Sequence, residues 1–267
     1  MKNKKINIRE YKELGFTVIR NIVPKKQLEE IMSSLLLNTK KYSKFSKINK
    51  NKNLDNLLYE LRKKNKKNFG LLYDSMQTLG NLYQVFTSDI ILKYVSDILS
   101  VKKNLITFTE PALRLDGPND KRNSLGWHQD SSYCRQNLDG GNGVVLWLPI
   151  RELSKEMGRL QFLKKSHKIG SLNIKKKRHD KYSSQQRLIP ENLLELENNI
   201  IEVDLKLGDV LAMNLDLVHR SGINFSKKFR ISIIGRYHNM ISDDFKSGLN
   251  IYNYSDKKYN KKTYESA

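Results

Sequence analysis

The sequence predicts a mainly β protein with flanking helices, an α+β fold built on a double-stranded β-helix, or jelly roll. Two observations support this fold class. Residues 1–100, apart from a Lys-rich stretch over 38–68, carry apolar side chains mostly at helical spacing, and from residue 105 onward short β-rich runs alternate with turn residues. Eight short strands with irregular links are typical of a double-sheet jelly roll. We therefore expect one domain over residues 1–267, with a helical flank in 1–100 and the jelly roll in 105–240.

The helical flank is expected to begin with a short helix over residues 9–14, which ends at Gly15 and leads into a β-rich run over 16–20. Pro24 then opens a longer helix, because proline is favoured in the first helical turn. The apolar face of this second helix consists of Leu28, Ile31, Met32 and Leu35.

Residues 38–68 are dominated by lysine, asparagine and serine, which predicts a mobile loop. This loop is interpreted either as a solvated insertion or as a lid, with a helix around Leu54 to Leu61. Residues 71–99 predict two helices with a break near residues 87–89, where Ser88 or Asp89 can cap the second helix.

Turn signals such as Asp116-Gly-Pro and Leu207-Gly-Asp separate the predicted strands. Residues 164–197 contain no clear strand, and we expect them to form a surface excursion over one mouth of the barrel. The predicted strands are residues 105–109, 113–115, 126–129, 144–150, 160–162, 200–203, 210–214 and 230–237.

The net charge of +21 and the sequence pI of about 9.8 allow two interpretations. An anionic partner, such as nucleic acid, a membrane surface or a phosphorylated substrate, would be attracted by this charge. Compositional drift is the favoured alternative, because lysine, asparagine and isoleucine, the residues of AT-rich codons, are all abundant. The small share of arginine argues against dedicated readout of phosphates or bases, so no specific nucleic-acid partner is expected.

Cys134 is the single cysteine, so an intrachain disulfide is excluded and a reducing, cytoplasmic compartment is expected. The basic N-terminus has no apolar segment behind it and does not resemble a signal peptide. The longest apolar runs, such as residues 144–150, are too short to span a bilayer.

The sharpest local feature is the segment Gly126-Trp-His-Gln-Asp130. His128 and Asp130 are two residues apart, so on a strand both side chains point to the same face. His219, which follows a β-rich run, is the natural third ligand. Two histidines and one carboxylate form the facial triad of non-haem Fe(II) oxygenases, which leaves the opposite side of the metal open. By itself a His-x-Asp tripeptide is weak, because surface polarity is its usual meaning.

Arg230 lies eleven positions after His219 and opens a predicted strand. An arginine inside a barrel is costly unless it meets an anion, and a dicarboxylate bound to the metal would offer its far carboxylate to the guanidinium. Ser221 and Ser232 could add hydroxyl donors. The alternative for Arg230 is a surface charge at the start of a strand.

Most of the chain resembles the phytanoyl-CoA dioxygenase-like branch of the Fe(II)/2-oxoglutarate-dependent oxygenases, which share a cupin-like jelly roll. Several motifs carry the resemblance in the order and spacing of that family. They are residues 11–20, Trp127-His-Gln-Asp130, 145–150, 157–163, Ser166-His-Lys168, 207–211, His219-Arg-Ser221 and Arg230.

The resemblance implies that Fe(II) binds to His128, Asp130 and His219, and that 2-oxoglutarate and O2 are the co-substrates. It further implies that Arg230, with Ser221, holds the distal carboxylate of 2-oxoglutarate. The implied reaction hydroxylates a substrate and releases succinate and CO2.

Gln129 and Trp147 are further pocket candidates on the same resemblance. Because related halogenases lack the carboxylate ligand, Asp130 favours hydroxylation or another oxidation over halogenation. One departure is that Leu163-Lys-Lys-Ser-His167 replaces the Pro-Gly that precedes Ser-His in the family, so His167 is interpreted as a structural turn residue.

Other residues have two interpretations each. Tyr133, Arg135 and the glycines of 140–143 could line the substrate mouth, although a hairpin link explains the glycines more simply. Arg114 points either into the pocket or into solvent. The remaining candidates are expected to be inert or exposed, and they are Cys134, His179, His238 and a disordered tail over 256–267.

The sequence bears on three classes of function. The expected one is a dioxygenase that hydroxylates a small, polar or anionic metabolite. A catalytically inactive jelly-roll binding or scaffold protein is the alternative, and an intact triad with Arg230 argues against it. A nucleic-acid-binding protein is not supported, because the sequence shows no helix-turn-helix, zinc-finger or aromatic RNA-binding strand signature.

Overall fold

A computed structural model describes residues 7–109, 111–120, 125–133, 136–137, 139–177, 186–190, 192 and 199–246. Its helices are α1 (Ile8–Leu14), α2 (Lys25–Phe45), α3 (Leu54–Lys64), α4 (Lys66–Gln77), α5 (Gly80–Phe86) and α6 (Asp89–Leu99). Its strands are β1 (Phe16–Ile19), β2 (Ile106–Phe108), β3 (Ala112–Asp116), β4 (Gly143–Pro149), β5 (Leu160–Leu163), β6 (Lys175–Lys177), β7 (Gln186–Leu188), β8 (Ile200–Glu202), β9 (Val210–Asn214), β10 (His219–Ser221) and β11 (Arg230–Asn239).

The predicted helix after Pro24 is confirmed, but the mobile loop over residues 38–68 is wrong. Helix α2 continues to Phe45, and α3 and α4 cover most of the rest of that segment. The buried face of α2 continues through Thr39, whose hydroxyl donates to the Leu35 carbonyl at 2.7 Å. Because small polar residues continue this face, the apolar pattern that predicts a helix is hidden there.

The asparagines of the same segment cap helices instead of forming a loop. Asn53 accepts a hydrogen bond from the Asn56 backbone N–H at 2.9 Å, and Asn65 accepts one from Asn68 at 3.0 Å. Asparagine is among the preferred N-cap residues. The helix predicted around residues 54–61 is confirmed as α3, and the break near 87–89 separates α5 from α6.

The larger sheet has six antiparallel strands in the order β1-β9-β4-β11-β2, and β3 also pairs with β11. Its central strands β9, β4 and β11 are buried on both faces. In β4, Val144, Leu146 and Leu148 face the helices and pack in the same hydrophobic core as the helix residues. Val145 and Trp147 face the other way and pack in the core inside the barrel. This alternation follows from the two-residue period of a strand.

The smaller sheet, in the order β10-β5-β8, closes the barrel. Phe16 of the larger sheet stacks on Phe162 of the smaller one, with ring centroids 5.2 Å apart. The predicted α+β jelly roll is therefore confirmed, with one core between its sheets and another between the larger sheet and the helices. No helix of the described segments has the length and apolar character needed to cross a membrane.

Three predictions about the strands need correction. Residues 164–197 do contain strands, β6 and β7, which form a separate hairpin. Residues 126–129 form one isolated bridge, His128 opposite His219, in place of a strand. His238 is fully buried instead of exposed, because it lies within β11 and its Nδ1 contacts the Asn137 side-chain oxygen at 3.0 Å.

Candidate metal centre

The bridge between His128 and His219 brings two sequence-distant histidines together. The His128 N–H donates to the His219 carbonyl at 2.9 Å, and the His219 N–H donates to the His128 carbonyl at 3.0 Å. The two imidazole centroids are 4.1 Å apart. Asp130, two residues after His128, starts a short 3-10 turn. One ligand atom from each of the three buried residues lies within 4.8 Å of the others.

Both imidazoles are oriented by backbone carbonyls. The Nδ1 atom of His128 lies 2.7 Å from the Gly126 carbonyl oxygen, and Nδ1 of His219 lies 2.9 Å from the Leu217 carbonyl oxygen. Because a carbonyl oxygen only accepts hydrogen bonds, each Nδ1 carries the proton and each Nε2 keeps its lone pair. This arrangement is typical of histidines that bind a metal through Nε2.

The charge states of two of these residues also suit a cation. Burial, together with the neighbouring His219, lowers the pKa of His128 to about 3. Burial opposes the ionisation of Asp130, but Arg236 and the two imidazoles outweigh it and hold the pKa of this carboxyl below its usual range. At neutral pH the site therefore offers a neutral imidazole and a carboxylate, which are the protonation states that a metal requires.

A cavity that is partly open to solvent lies beside the cluster, and His128, Asp130 and His219 themselves form part of its wall. Of the predicted cofactor-binding residues, Ser221 and Trp147 line this cavity, and so does Arg114. Arg236, which the sequence did not single out, lines it as well. The apolar part of the wall is Leu125, Val145, Trp147, Leu160, Met213 and Ile234.

Arg230 and Ser232 are buried farther along the inner face of β11. Arg230 is 2% exposed, and its Nη2 and Nε donate to one oxygen of Asp116 at 2.9 and 3.2 Å. Its Nη1 donates to the Gly158 carbonyl and, at 3.4 Å, to the Gly222 carbonyl. Arg230 is therefore in the barrel as predicted, but its guanidinium is largely engaged by protein groups.

Ser232 is fully buried, and its hydroxyl has no hydrogen-bond partner within the described ranges. Residues two apart on a strand share a face, so this hydroxyl lies on the same side of β11 as Arg230. Buried hydroxyls without partners are rare, and they point to an unseen polar group.

Gln129 does not reach the cavity, because it points to the opposite side from its neighbours His128 and Asp130. Its amide donates to the Gly170 and Asp216 carbonyls at 2.8 and 2.7 Å and accepts from the Leu172 N–H at 2.8 Å. These bonds tie the segment that carries the candidate ligands to two other loops.

Tyr133 lies next to the cluster, whereas His167 lies in a turn that contacts α1. The Tyr133 ring meets the His128 ring edge-on at 5.9 Å, and its hydroxyl accepts from the Arg187 N–H at 2.6 Å. His167 lies in the 3-10 turn Ser166–Ile169, with Nε2 3.1 Å from the Lys12 carbonyl. The predictions for Cys134, Arg135, His179 and residues 256–267 fall outside the described residues.

The sequence contains a signal for the inward orientation of Arg236. It lies six residues after Arg230 on one strand, and an even spacing places both side chains on the inner face. No comparable signal exists for Asp116, because its pairing with Arg230 depends on which strands are neighbours.

Comparison with known proteins extends these observations. The family model described as phytanoyl-CoA dioxygenase (PhyH) matches residues 11–232. No curated protein matches the chain at a significant level.

Solved structures with a similar fold include a non-heme monooxygenase, ThoJ in its apo form, at 14% identity and a TM-score of 0.60, covering 97% of this chain and 93% of that one. The epimerase SnoN, in complex with Fe3+, alpha ketoglutarate and nogalamycin RO, matches at 12% identity and a TM-score of 0.59, covering 91% and 86%. EvdO2 from Micromonospora carbonacea var. aurantiaca, complexed with 2-oxoglutarate, matches at 12% identity and a TM-score of 0.57, covering 87% and 89%. At these identities the likeness concerns the fold alone. The family match spans most of the chain, and the chain belongs to the phytanoyl-CoA dioxygenase family.

Proposed function

We propose that this protein is an Fe(II)- and 2-oxoglutarate-dependent dioxygenase that hydroxylates a small metabolite and releases succinate and CO2. The observation that carries the proposal is the buried cluster of His128, Asp130 and His219, whose ligand atoms lie within 4.8 Å of one another beside a cavity. The resemblance to the family and the family match both support this assignment.

The donor set fits iron. Two imidazole nitrogens and one carboxylate oxygen are the ligands of non-haem Fe(II) oxygenase sites, where they occupy one side of the metal. When bound, iron and 2-oxoglutarate would supply the activation of O2 and the oxidising equivalents. The chain's own contribution is to orient the three ligands and to keep them buried. Because Asp130 supplies the carboxylate, we propose hydroxylation in preference to halogenation.

We propose that the distal carboxylate of 2-oxoglutarate is held at the deep end of the barrel by Arg230, Ser221 and Ser232. Arg230 has donated most of its N–H groups to Asp116 and to two carbonyls, so it contributes its charge and a remaining N–H of Nη2. The unpartnered hydroxyl of Ser232 would gain an acceptor in this arrangement. A carboxylate that receives several such donors is bound strongly and in one orientation.

Two further residues have supporting roles in this proposal. Trp147 lines the cavity and provides apolar surface that excludes water from the reacting groups. Gln129 acts at a distance, because its three hydrogen bonds to neighbouring loops fix the segment from His128 to Asp130. Neither residue needs to donate or accept a proton.

The test is a visible difference spectrum of metal-stripped protein under strict anaerobiosis, after addition of Fe(II) and 2-oxoglutarate. We expect a metal-to-ligand charge-transfer band that is absent in Asp130→Ala and weakened in Arg230→Ala. Asp204→Ala is the matched control, because it removes a carboxylate that is 60% exposed and paired with Arg159 on the surface. Wild-type protein without the band would refute the proposal and favour the inactive scaffold protein.

A further inference from the structure

We infer that the cavity beside the metal cluster binds its substrate through an acidic group, a carboxylate or a phosphate, that lies against Arg114 and Arg236. This inference rests on the proposed oxygenase function and names the substrate class for the same site. Both arginines line the cavity, Arg114 from β3 and Arg236 from β11, which are neighbouring strands.

The exposure of the charged side chains indicates whether a ligand in the cavity meets mainly positive or mainly negative charge. The side chains of Arg114 and Arg236 are 20% and 19% exposed, whereas Asp116 and Asp130, which lie 3.1 and 3.7 Å from them, are each 7% exposed. The carboxylates are therefore more deeply buried than the guanidiniums. The charged surface that a ligand meets in the cavity is consequently mainly cationic.

Compositional drift does not account for these arginines. Drift in an AT-rich genome adds lysine, and only 13 of the 49 basic residues are arginine. A guanidinium inside a protein is costly unless it meets an anion or accepting groups. Its planar fork also matches a carboxylate or phosphate better than a lysine ammonium does. Asp116 and Asp130 already offer carboxylates to these arginines, and we infer that the more exposed sides of the two guanidiniums also receive an acidic group of the ligand.

The position of Arg236 indicates which part of the substrate is acidic. Its Nη2 lies 3.7 Å from Oδ1 of Asp130, one of the proposed metal ligands. An acidic group against Arg236 therefore lies beside the reacting end of the substrate. A metal ion on Asp130 would share the charge of that carboxylate and make the cavity more positive. We therefore expect the cavity to bind anions more tightly once it is loaded with metal.

The hairpin of β6 and β7 carries positive charge and is joined to the segment that follows Asp130. Lys175, Lys176 and Lys177 are all exposed on β6. The partner strand β7 is fastened next to the cluster, because the Arg187 N–H donates to the Tyr133 hydroxyl and the Arg187 guanidinium to the Ser132 carbonyl. Exposed positive charge on an element joined to this segment raises the local concentration of anions.

The experiment compares two probes of equal size, butanoate and butanamide, by ligand-observed NMR with full-length protein loaded with Zn(II) and 2-oxoglutarate. Zinc replaces iron so that no turnover occurs. We expect butanoate to bind with a Kd of about 1–10 mM and butanamide about tenfold more weakly. Removing the zinc should weaken butanoate binding, because Asp130 then neutralises more of the charge of Arg236.

Variants test whether the preference for butanoate over butanamide arises from the two arginines of the cavity. Arg236→Gln and Arg114→Gln should each reduce butanoate binding to the level of the amide, while Arg236→Lys should retain part of it. Arg20→Gln is the matched control, because it removes one positive charge from a side chain that is 53% exposed and lies outside the cavity. Thermal unfolding and binding of 2-oxoglutarate establish that each variant is folded.

The inference is overturned if wild-type protein binds acid and amide equally, binds neither probe, or binds butanoate equally well after Arg236→Gln. It is also overturned if the arginine variants lose 2-oxoglutarate instead, because these residues would then hold the co-substrate. Absence of the Fe(II) and 2-oxoglutarate band in wild-type protein refutes the proposed function itself. A normal band without discrimination between acid and amide refutes only the inference about the substrate.

Discussion

Replacement of Asp116 by asparagine tests the buried charge network of the barrel. Asp116 is buried, and its carboxylate accepts hydrogen bonds from Nη2 and Nε of Arg230 at 2.9 and 3.2 Å and from Nη2 of Arg114 at 3.1 Å. The variant keeps the size of the side chain but removes its charge, so two guanidiniums lose their shared carboxylate. Breaking a buried ion pair by removing one partner costs about 3–5 kcal/mol.

This loss of stability is large enough to be measured by thermal and by urea unfolding. At about 2–4 °C per kcal/mol for domains of roughly this length, the melting temperature of Asp116→Asn should fall by roughly 6–20 °C. Equilibrium unfolding in urea gives the free energy of unfolding directly, with the m-value as the test that the unfolded state is unchanged. Asp204→Asn is the control, because the exposed pair that it breaks should change stability by less than about 1 kcal/mol.

The difference between Asp116→Asn and wild type should depend on pH. Burial disfavours the charged form of Asp116, but Arg114 and Arg230 outweigh burial and hold its pKa below the usual range. A carboxyl with a lowered folded-state pKa stabilises the protein above its unfolded pKa, and this contribution is lost as the pH falls through the folded pKa. The difference should be full at neutral pH and shrink below about pH 4. A variant within about 1 kcal/mol of wild type at pH 7 would refute the reasoning.

Three further predictions concern the metal centre, a backbone contact and a buried histidine. Saturating Zn(II) at about 100 times its Kd should stabilise wild type by about 2.7 kcal/mol in thermal unfolding, and an equal stabilisation of Asp130→Ala would contradict the assignment of that ligand. Gly158→Ala should lose roughly 2 kcal/mol or more in urea unfolding, because Gly158 has a φ of +76° and a Cβ there would overlap the Gly222 carbonyl; unchanged stability would disprove the clash. Burial and Arg236 lower the pKa of His238 to about 4, so the unfolded chain binds its proton first and wild-type stability should fall by roughly 2 kcal/mol between about pH 7 and pH 5. His238→Asn should remove this part of the pH dependence, and an identical profile for both proteins would exclude His238 as its source.

Local patterns determined a large part of this protein. The spacing of His128 and Asp130 placed both side chains on one side of the chain, because this property depends only on the two-residue period of extended backbone. The buried face of α2 followed from apolar residues at helical spacing. The family motifs also indicated which distant histidine completes the cluster. These inferences needed no knowledge of which strands are neighbours.

Composition was a poor guide to residues 38–68, where the predicted mobile loop was wrong although the helix predicted around Leu54 to Leu61 was confirmed. The sequence of residues 38–68 resembles a solvated loop, yet Leu57, Leu58 and Leu61 are fully buried and Asn53 caps the helix that carries them. Composition averages over the segment and cannot register that a few leucines share one face. Helix α3 packs against α2 and α4, and this packing supplies the stability that its helix propensity alone does not provide.

Only the tertiary structure decided how the inner face of the barrel is charged. Asp116 meets Arg230 because β3 pairs with β11 in the register that sets these two residues opposite each other. The same pairing of β3 with β11 brings Arg114 and Arg236 to one cavity. A one-residue slip in that register would turn the side chains of one strand to the other face, and register depends on long-range hydrogen bonds that no local segment encodes. The sequence therefore determined which residues could bind a metal, and strand pairing decided which charges surround it.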